Sequence, residues 1–157
     1  MLAEKCPIMD QATKLELNVS KLYLVFSRIC TEDADFWWQL SIEETNHAAL
    51  LESVRETAFK IDLFADSQEE HKQLAEANEK IASMIKKFEQ TPATREQAFN
   101  IALELENSAG EIHFQHFIEK REKTPTEKVF ETLNQEDSDH AERIRSYMDC
   151  HGIAIIS

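Results

Sequence analysis

Two stretches of this 157-residue chain carry matching side chains in one register. One reads Trp37, Leu40, Glu44, His47, Leu51 and Val54; the other reads Phe130, Leu133, Asp137, His140, Ile144 and Tyr147. Both advance by three, four, three, four and three residues, the stepping that lines up one face of an α-helix. Each face is apolar except at its middle, where a carboxylate stands three residues before a histidine. An apolar stripe seeks a core, and a bare carboxylate in a core is costly unless something charged or hydrogen-bonding meets it. A carboxylate and an imidazole one helical turn apart can meet a metal ion together. The chain therefore has to bury two helices and find partners for their acids.

Composition narrows the fold further. Two glycines and three prolines leave little room for the turns of a many-stranded sheet, and 42% of residues are hydrophobic, so a single all-α domain over 1–157 is expected. The net charge of −13 argues against nucleic acid and anionic membrane surfaces as partners. No apolar run approaches the roughly 18 residues of a membrane span, and the N-terminus lacks an apolar signal core, so a cytoplasmic location is expected. The three cysteines, Cys6, Cys30 and Cys150, form no Cys-x-x-Cys pair, which excludes a zinc ribbon or rubredoxin-type site from the expectation.

Five helices are predicted: about Ile8 to Cys30, Glu32 to Lys60, Gln68 to Gln90, Arg95 to Glu122, and from Pro125 to a stop near Gly152. Ser67-x-x-Glu70 and Thr94-x-x-Gln97 carry the capping-box pattern. Pro125 suits a first helical position, and Gly152 suits a helix end. A repeat extends beyond the two histidine segments. Helix one holds Ala12, Glu16 and Tyr23; helix four holds Ala102, Glu106 and His113 in the same spacing. Glu16 and Glu106 lie 90 positions apart, and His47 and His140 lie 93 apart. Two hairpins of one plan, joined by a long crossover containing the third helix, make a four-helix bundle.

Six side chains then converge on the bundle axis: Glu16, Glu44, His47, Glu106, Asp137 and His140. Pseudo-twofold symmetry gives each of two metals one histidine and leaves carboxylates to bridge. Four acids balance two divalent cations, and imidazole with carboxylate suits iron or manganese better than thiolate-loving ions. The small residues Ala12, Ser20, Ala109 and Gly110 are expected to leave space beside the acids. Trp38 is expected to pack on the crossover helix or a partner subunit.

The order Glu, Glu-x-x-His, Glu, acid-x-x-His on four helices resembles the ferritin-like superfamily. The Glu16-x6-Tyr23 spacing and the run EETNHAALL at 43–51 are most similar to its rubrerythrin-type branch. The resemblance covers nearly the whole chain, with the third helix as an insertion in the crossover. It implies two iron ions, with manganese or a mixed pair as other occupants, and an oxidoreductase reacting with peroxide or dioxygen. It also implies a homodimer or larger homo-oligomer. Tyr23 would orient a carboxylate, and His113, where a tyrosine is usual, would be an added ligand or a proton donor. Asp137 stands where the family usually has Glu, with Glu136 able to substitute by rotation, and Ala109 where rubrerythrins proper carry a further Glu. With no Cys-x-x-Cys pair, turnover would draw electrons from an external donor protein. Iron storage without turnover, or a structural bundle with a vestigial site, are the other readings.

Overall fold

The computed structural model describes the backbone of residues 7–61, 68–118 and 125–156. The side chains of residues 7, 56–61, 68, 70, 109–118, 125–127, 130 and 134 fall outside that description, so those of Ala109, Gly110, His113 and Phe130 do too. The described residues are helical throughout their regular elements: α1 (Pro7–Ile29), a short 3-10 turn (Thr31–Asp33), α2 (Ala34–Ile61), α3 (Gln68–Gln90), α4 (Arg95–Ile118) and α5 (Pro125–Cys150). Among them no helix is long and apolar enough to cross a membrane.

Local sequence sets several of these boundaries. Thr94 and Gln97 form the reciprocal cap that opens α4: the Gln97 N–H donates to Thr94 Oγ1 at 3.1 Å, and the Thr94 N–H donates to Gln97 Oε1 at 2.9 Å. The α5 helix closes on Gly152, whose φ of 66° lies in the left-handed region that glycine enters without strain. The Ile153 N–H reaches back to the Met148 carbonyl at 2.8 Å, while Ile153 packs on the core. Asn100 then pins the tail to α4 through the Ala154 carbonyl and the Ile156 N–H. The Ser67–Glu70 cap lies outside the described residues.

The α1 helix packs along α2, α4 packs along α5, and α2 meets α5. The α3 helix lies on α1 and touches α4. Ser20, Ser41 and Thr45 join α1 to α2: the Ser20 hydroxyl donates to the Ser41 carbonyl at 2.9 Å, and its oxygen lies 3.0 Å from Thr45 Oγ1. Ser20 thus knits two helices together, a different task from the empty space expected of it. A second polar clamp holds α3, where Asn18 donates to Asn78, and Asn78 donates to the Gln11 carbonyl.

The apolar side chains fill the space between. Trp37, Phe26, Phe99, Leu40, Leu51, Leu133 and Ile144 are fully buried, each contributing about 1.5–3 kcal/mol relative to exposure. One expectation changes: helix two begins at Ala34, because the Asp33 amide bonds the Cys30 carbonyl and tightens the preceding turn. Trp38 is 54% exposed in the single chain.

Candidate metal centre

The two acid-x-x-His stripes face each other from α2 and α5, and α1 and α4 each add one glutamate. All six side chains, Glu16, Glu44, His47, Glu106, Asp137 and His140, are at most 4% exposed. Such burial is rare for acids, and here the helical register forces it: each acid shares its stripe with core residues on both sides. The leucines and isoleucines above and below cannot be buried without burying the carboxylates between them.

Donor atoms from these residues form two overlapping groups. Glu16, Glu44, His47 and Asp137 make one, and Glu44, Glu106, Asp137 and His140 make the other; within each, ligand atoms lie within 4.8 Å of one another. Glu44 and Asp137 belong to both. Asp137 therefore reaches both groups in spite of being one methylene shorter than glutamate.

His47 Nδ1 lies 3.6 Å from Glu16, 3.4 Å from Glu44 and 3.7 Å from Asp137. His140 Nδ1 lies 2.7 Å from Glu44 and 3.6 Å from Glu106. The two imidazoles stack at 5.3 Å.

These contacts leave donor atoms without hydrogen bonds. Glu44 Oε1, Asp137 Oδ2, His47 Nδ1 and His140 Nδ1 are buried, and although Glu44 Oε1 and His140 Nδ1 lie 2.7 Å apart, none of the four is in hydrogen-bond geometry with a partner. An unsatisfied buried polar atom is expensive, and four around one point call for a common partner. A metal ion fits this donor set, since carboxylate and imidazole ligands suit hard or borderline divalent cations.

Electrostatics agree. Burial alone would lower the His47 and His140 pKa values. The carboxylates outweigh it, Glu16 and Glu44 pushing His47 up to about 12 and Glu106 and Glu44 pushing His140 up to about 11. Burial, together with the neighbouring charges of Glu16, Glu106 and Glu44, raises Asp137 well above the usual carboxylate range. The metal-free cluster thus holds protons that an entering cation can displace.

A further pair of acids supports the histidines from outside. His140 Nε2 meets Glu43 Oε2 at 2.6 Å, and His47 Nε2 meets Glu136 Oε2 at 2.6 Å. The support is crosswise: the glutamate preceding each inner acid binds the histidine of the other stripe. Arg143 also donates to Glu43 at 2.6 Å. Burial would raise Glu43, but hydrogen bonds from Arg143, Gln39 and His140 bring it down to about 2. Such outer partners fix which nitrogen faces the metal. Glu43 escaped the sequence reading, although a glutamate directly before each inner acid was visible in both repeats. Glu136 occupies this outer role rather than the substitute-ligand role considered for it. An open cleft of about 370 Å³ between α2 and α5 exposes this outer layer, lined among others by Glu43, His47, Glu136, His140 and Arg143.

Tyr23, wholly buried, donates its hydroxyl to Glu106 Oε1 at 2.5 Å. Burial first, then the Glu106 charge, keeps the phenol pKa well above its ordinary value, so the group stays a donor. His113 lies on α4, but its side chain is outside the described residues. No family model, curated protein or solved structure matches the chain.

Proposed function

We propose that this chain is a ferritin-like, rubrerythrin-type protein that holds two iron ions and acts as an oxidoreductase on peroxide or dioxygen. In this reading α1, α2, α4 and α5 are the four helices of the bundle, and α3 belongs to the crossover. The observation that carries it is the pair of buried ligand groups sharing Glu44 and Asp137, with four of their donor atoms lacking hydrogen bonds. Glu16 and His47 would hold one ion and Glu106 and His140 the other, with Glu44 and Asp137 between them.

Bound iron supplies the change of oxidation state that reaction with peroxide or dioxygen requires. The chain supplies everything else. Tyr23 orients Glu106 through the hydrogen bond its hydroxyl donates to Oε1. Glu43 and Glu136 hold the outer histidine nitrogens, so that Nδ1 of each ring faces the ion. The apolar residues above and below keep water from the carboxylates. Electrons arrive from an external donor protein.

Anaerobic titration with ferrous iron, followed by peroxide, tests the reading. Saturation is expected at about two irons per chain, with oxidation much faster than in buffer. A single iron per chain, or oxidation no faster than buffer, would sink it. Gel filtration of the iron-loaded protein separates it from storage: a large shell carrying many irons per chain would favour storage over turnover.

A further inference from the structure

A continuous column of aromatic rings runs from the candidate metal centre to the far end of α5. It begins at Tyr23, whose hydroxyl bonds Glu106. The Tyr23 ring lies 5.5 Å from Trp37, and Trp37 lies 4.5 Å from Phe99 and 5.4 Å from Phe36. Both phenylalanines meet Tyr147, Phe36 at 4.1 Å and Phe99 at 5.3 Å. Tyr147 then stacks at 3.9 Å on His151, which is exposed. The column thus joins a buried polar site to solvent.

Packing explains why aromatic rings fill a core, but not the polar ends of these three. Tyr23 and Tyr147 each donate to a carboxylate, Glu106 at 2.5 Å and Asp33 at 2.7 Å. Trp37 between them is fully buried, and its Nε1 has no hydrogen-bond partner. Tyrosine and tryptophan are the side chains most easily oxidised by one electron. A tyrosine gives up that electron readily only if a base takes its proton. A tryptophan can give it up and keep its proton, passing through the radical cation. The alternation of base-bonded tyrosine, unpartnered tryptophan and base-bonded tyrosine matches these needs.

We infer that Tyr23, Trp37 and Tyr147 form a one-electron relay between the metal centre and the protein surface at His151. The inference rests on the redox reading above. Tyr23 gives one electron to the oxidised iron centre, and its proton moves to Glu106. Trp37 gives one electron to the Tyr23 radical, which recovers its proton from Glu106. Tyr147 gives one electron to the Trp37 radical cation, and its proton moves to Asp33. A one-electron donor in solvent refills Tyr147, and the proton returns from Asp33. One electron has then passed from donor to centre, with every proton back in place. A phenol that has lost an electron is acidic enough to protonate Asp33 even beside Arg95.

The relay can be tested without metal. A ruthenium polypyridyl photo-oxidant is attached to the exposed Cys150, one turn from Tyr147, in the full chain carrying Cys6→Ser and Trp38→Phe. Trp37 is then the sole tryptophan, and Cys30 is buried. After flash-quench oxidation in a further Tyr23→Phe background, where Tyr147 is the sole tyrosine, transient absorption is expected to show a protonated tryptophanyl radical cation that decays into a tyrosyl radical. Tyr147→Phe should slow that decay by at least an order of magnitude. Deuterium oxide should slow the decay in the Tyr147 protein and leave Tyr147→Phe unaffected, because reduction by Tyr147 moves its proton to Asp33. Equal rates with and without the Tyr147 hydroxyl, or no isotope effect, would overturn the relay. The solvent comparison needs no variant at Tyr147, so a misfolded mutant cannot hide the result. Because iron takes no part in this measurement, its failure is distinct from failure of the ferrous titration.

Discussion

The molecule buries carboxylates in two places and treats them in opposite ways. Asp33 is 1% exposed at the α1–α2 turn, and Arg95 clamps it with two hydrogen bonds of 2.8 and 2.7 Å. Tyr147 adds a third at 2.7 Å. Burial alone would raise the Asp33 pKa, but these partners hold it below the usual carboxylate value. In the other place, Glu16, Glu44, Glu106 and Asp137 crowd together, and the charged partners bonded to them among the described residues include His47 and His140. Asp137 is raised there, opposite to Asp33. One site is closed by a cation of its own chain. The other gathers carboxylates and imidazoles that could hold a metal ion, and the two sites differ in the direction of their carboxylate pKa shifts.

The largest expected effect lies at the closed site. Arg95→Met leaves Asp33 buried without its cation and should cost about 3 kcal/mol, read from urea denaturation at neutral pH. Arg95 is partly exposed, which places the cost at the low end for broken buried pairs. Because the folded Asp33 pKa is depressed, the stability it contributes is present above about pH 4 and lost as pH falls through the folded value. The gap between wild type and Arg95→Met should therefore narrow in acid. A constant gap from pH 7 to 3 would remove the charge argument and leave only packing.

At the open site the sign depends on metal. Ferrous iron at about 100 times its dissociation constant should stabilise the folded chain by about 2.7 kcal/mol, seen as a rise in Tm under anaerobic conditions. His140→Ala should abolish most of that rise. If both proteins respond alike, iron binds elsewhere.

The crosswise outer layer offers a finer test. Glu43→Gln keeps shape and hydrogen-bonding capacity at His140 Nε2 but loses the charge, and should weaken iron binding about tenfold. Competition against a chelator of known affinity measures it, and unchanged binding would reduce the Glu43–His140 contact to packing.

The smallest effect should separate the two sites most cleanly. Asp137→Asn replaces a carboxyl whose ionisation burial and the neighbouring acids disfavour with a neutral amide of the same shape, so the metal-free chain should lose less than about 1 kcal/mol or gain slightly. A loss of several kcal/mol would mean that the open site already stabilises itself as Asp33 does.

Much of this was legible before folding was considered. The three-and-four stepping located Glu44, His47, Asp137 and His140, because a helix repeats nearly every 3.6 residues and a shared stripe shares a destination, and the repeat of 90 positions added Glu16 and Glu106. Thr94-x-x-Gln97 and Gly152 marked their helix ends through purely local chemistry. Partners on other helices were harder to foresee. Asp33 and Arg95 are separated in sequence, and neither sits on a repeated motif. Asn78 interrupts the apolar face of α3, and its partners, Asn18 and Gln11, lie on α1.

The sequence by itself determined the five helices, their principal buried faces and the placement of two acid-x-x-His units on facing stripes, since these follow from periodicity and capping within each segment. Only the tertiary structure decided that Glu44 and Asp137 serve both ligand groups, that Glu43 and Glu136 cross over to the opposite histidines, and that Arg95 closes around Asp33. Those choices depend on how one helix is rotated and shifted against another. That registry emerges only when the whole core packs at once.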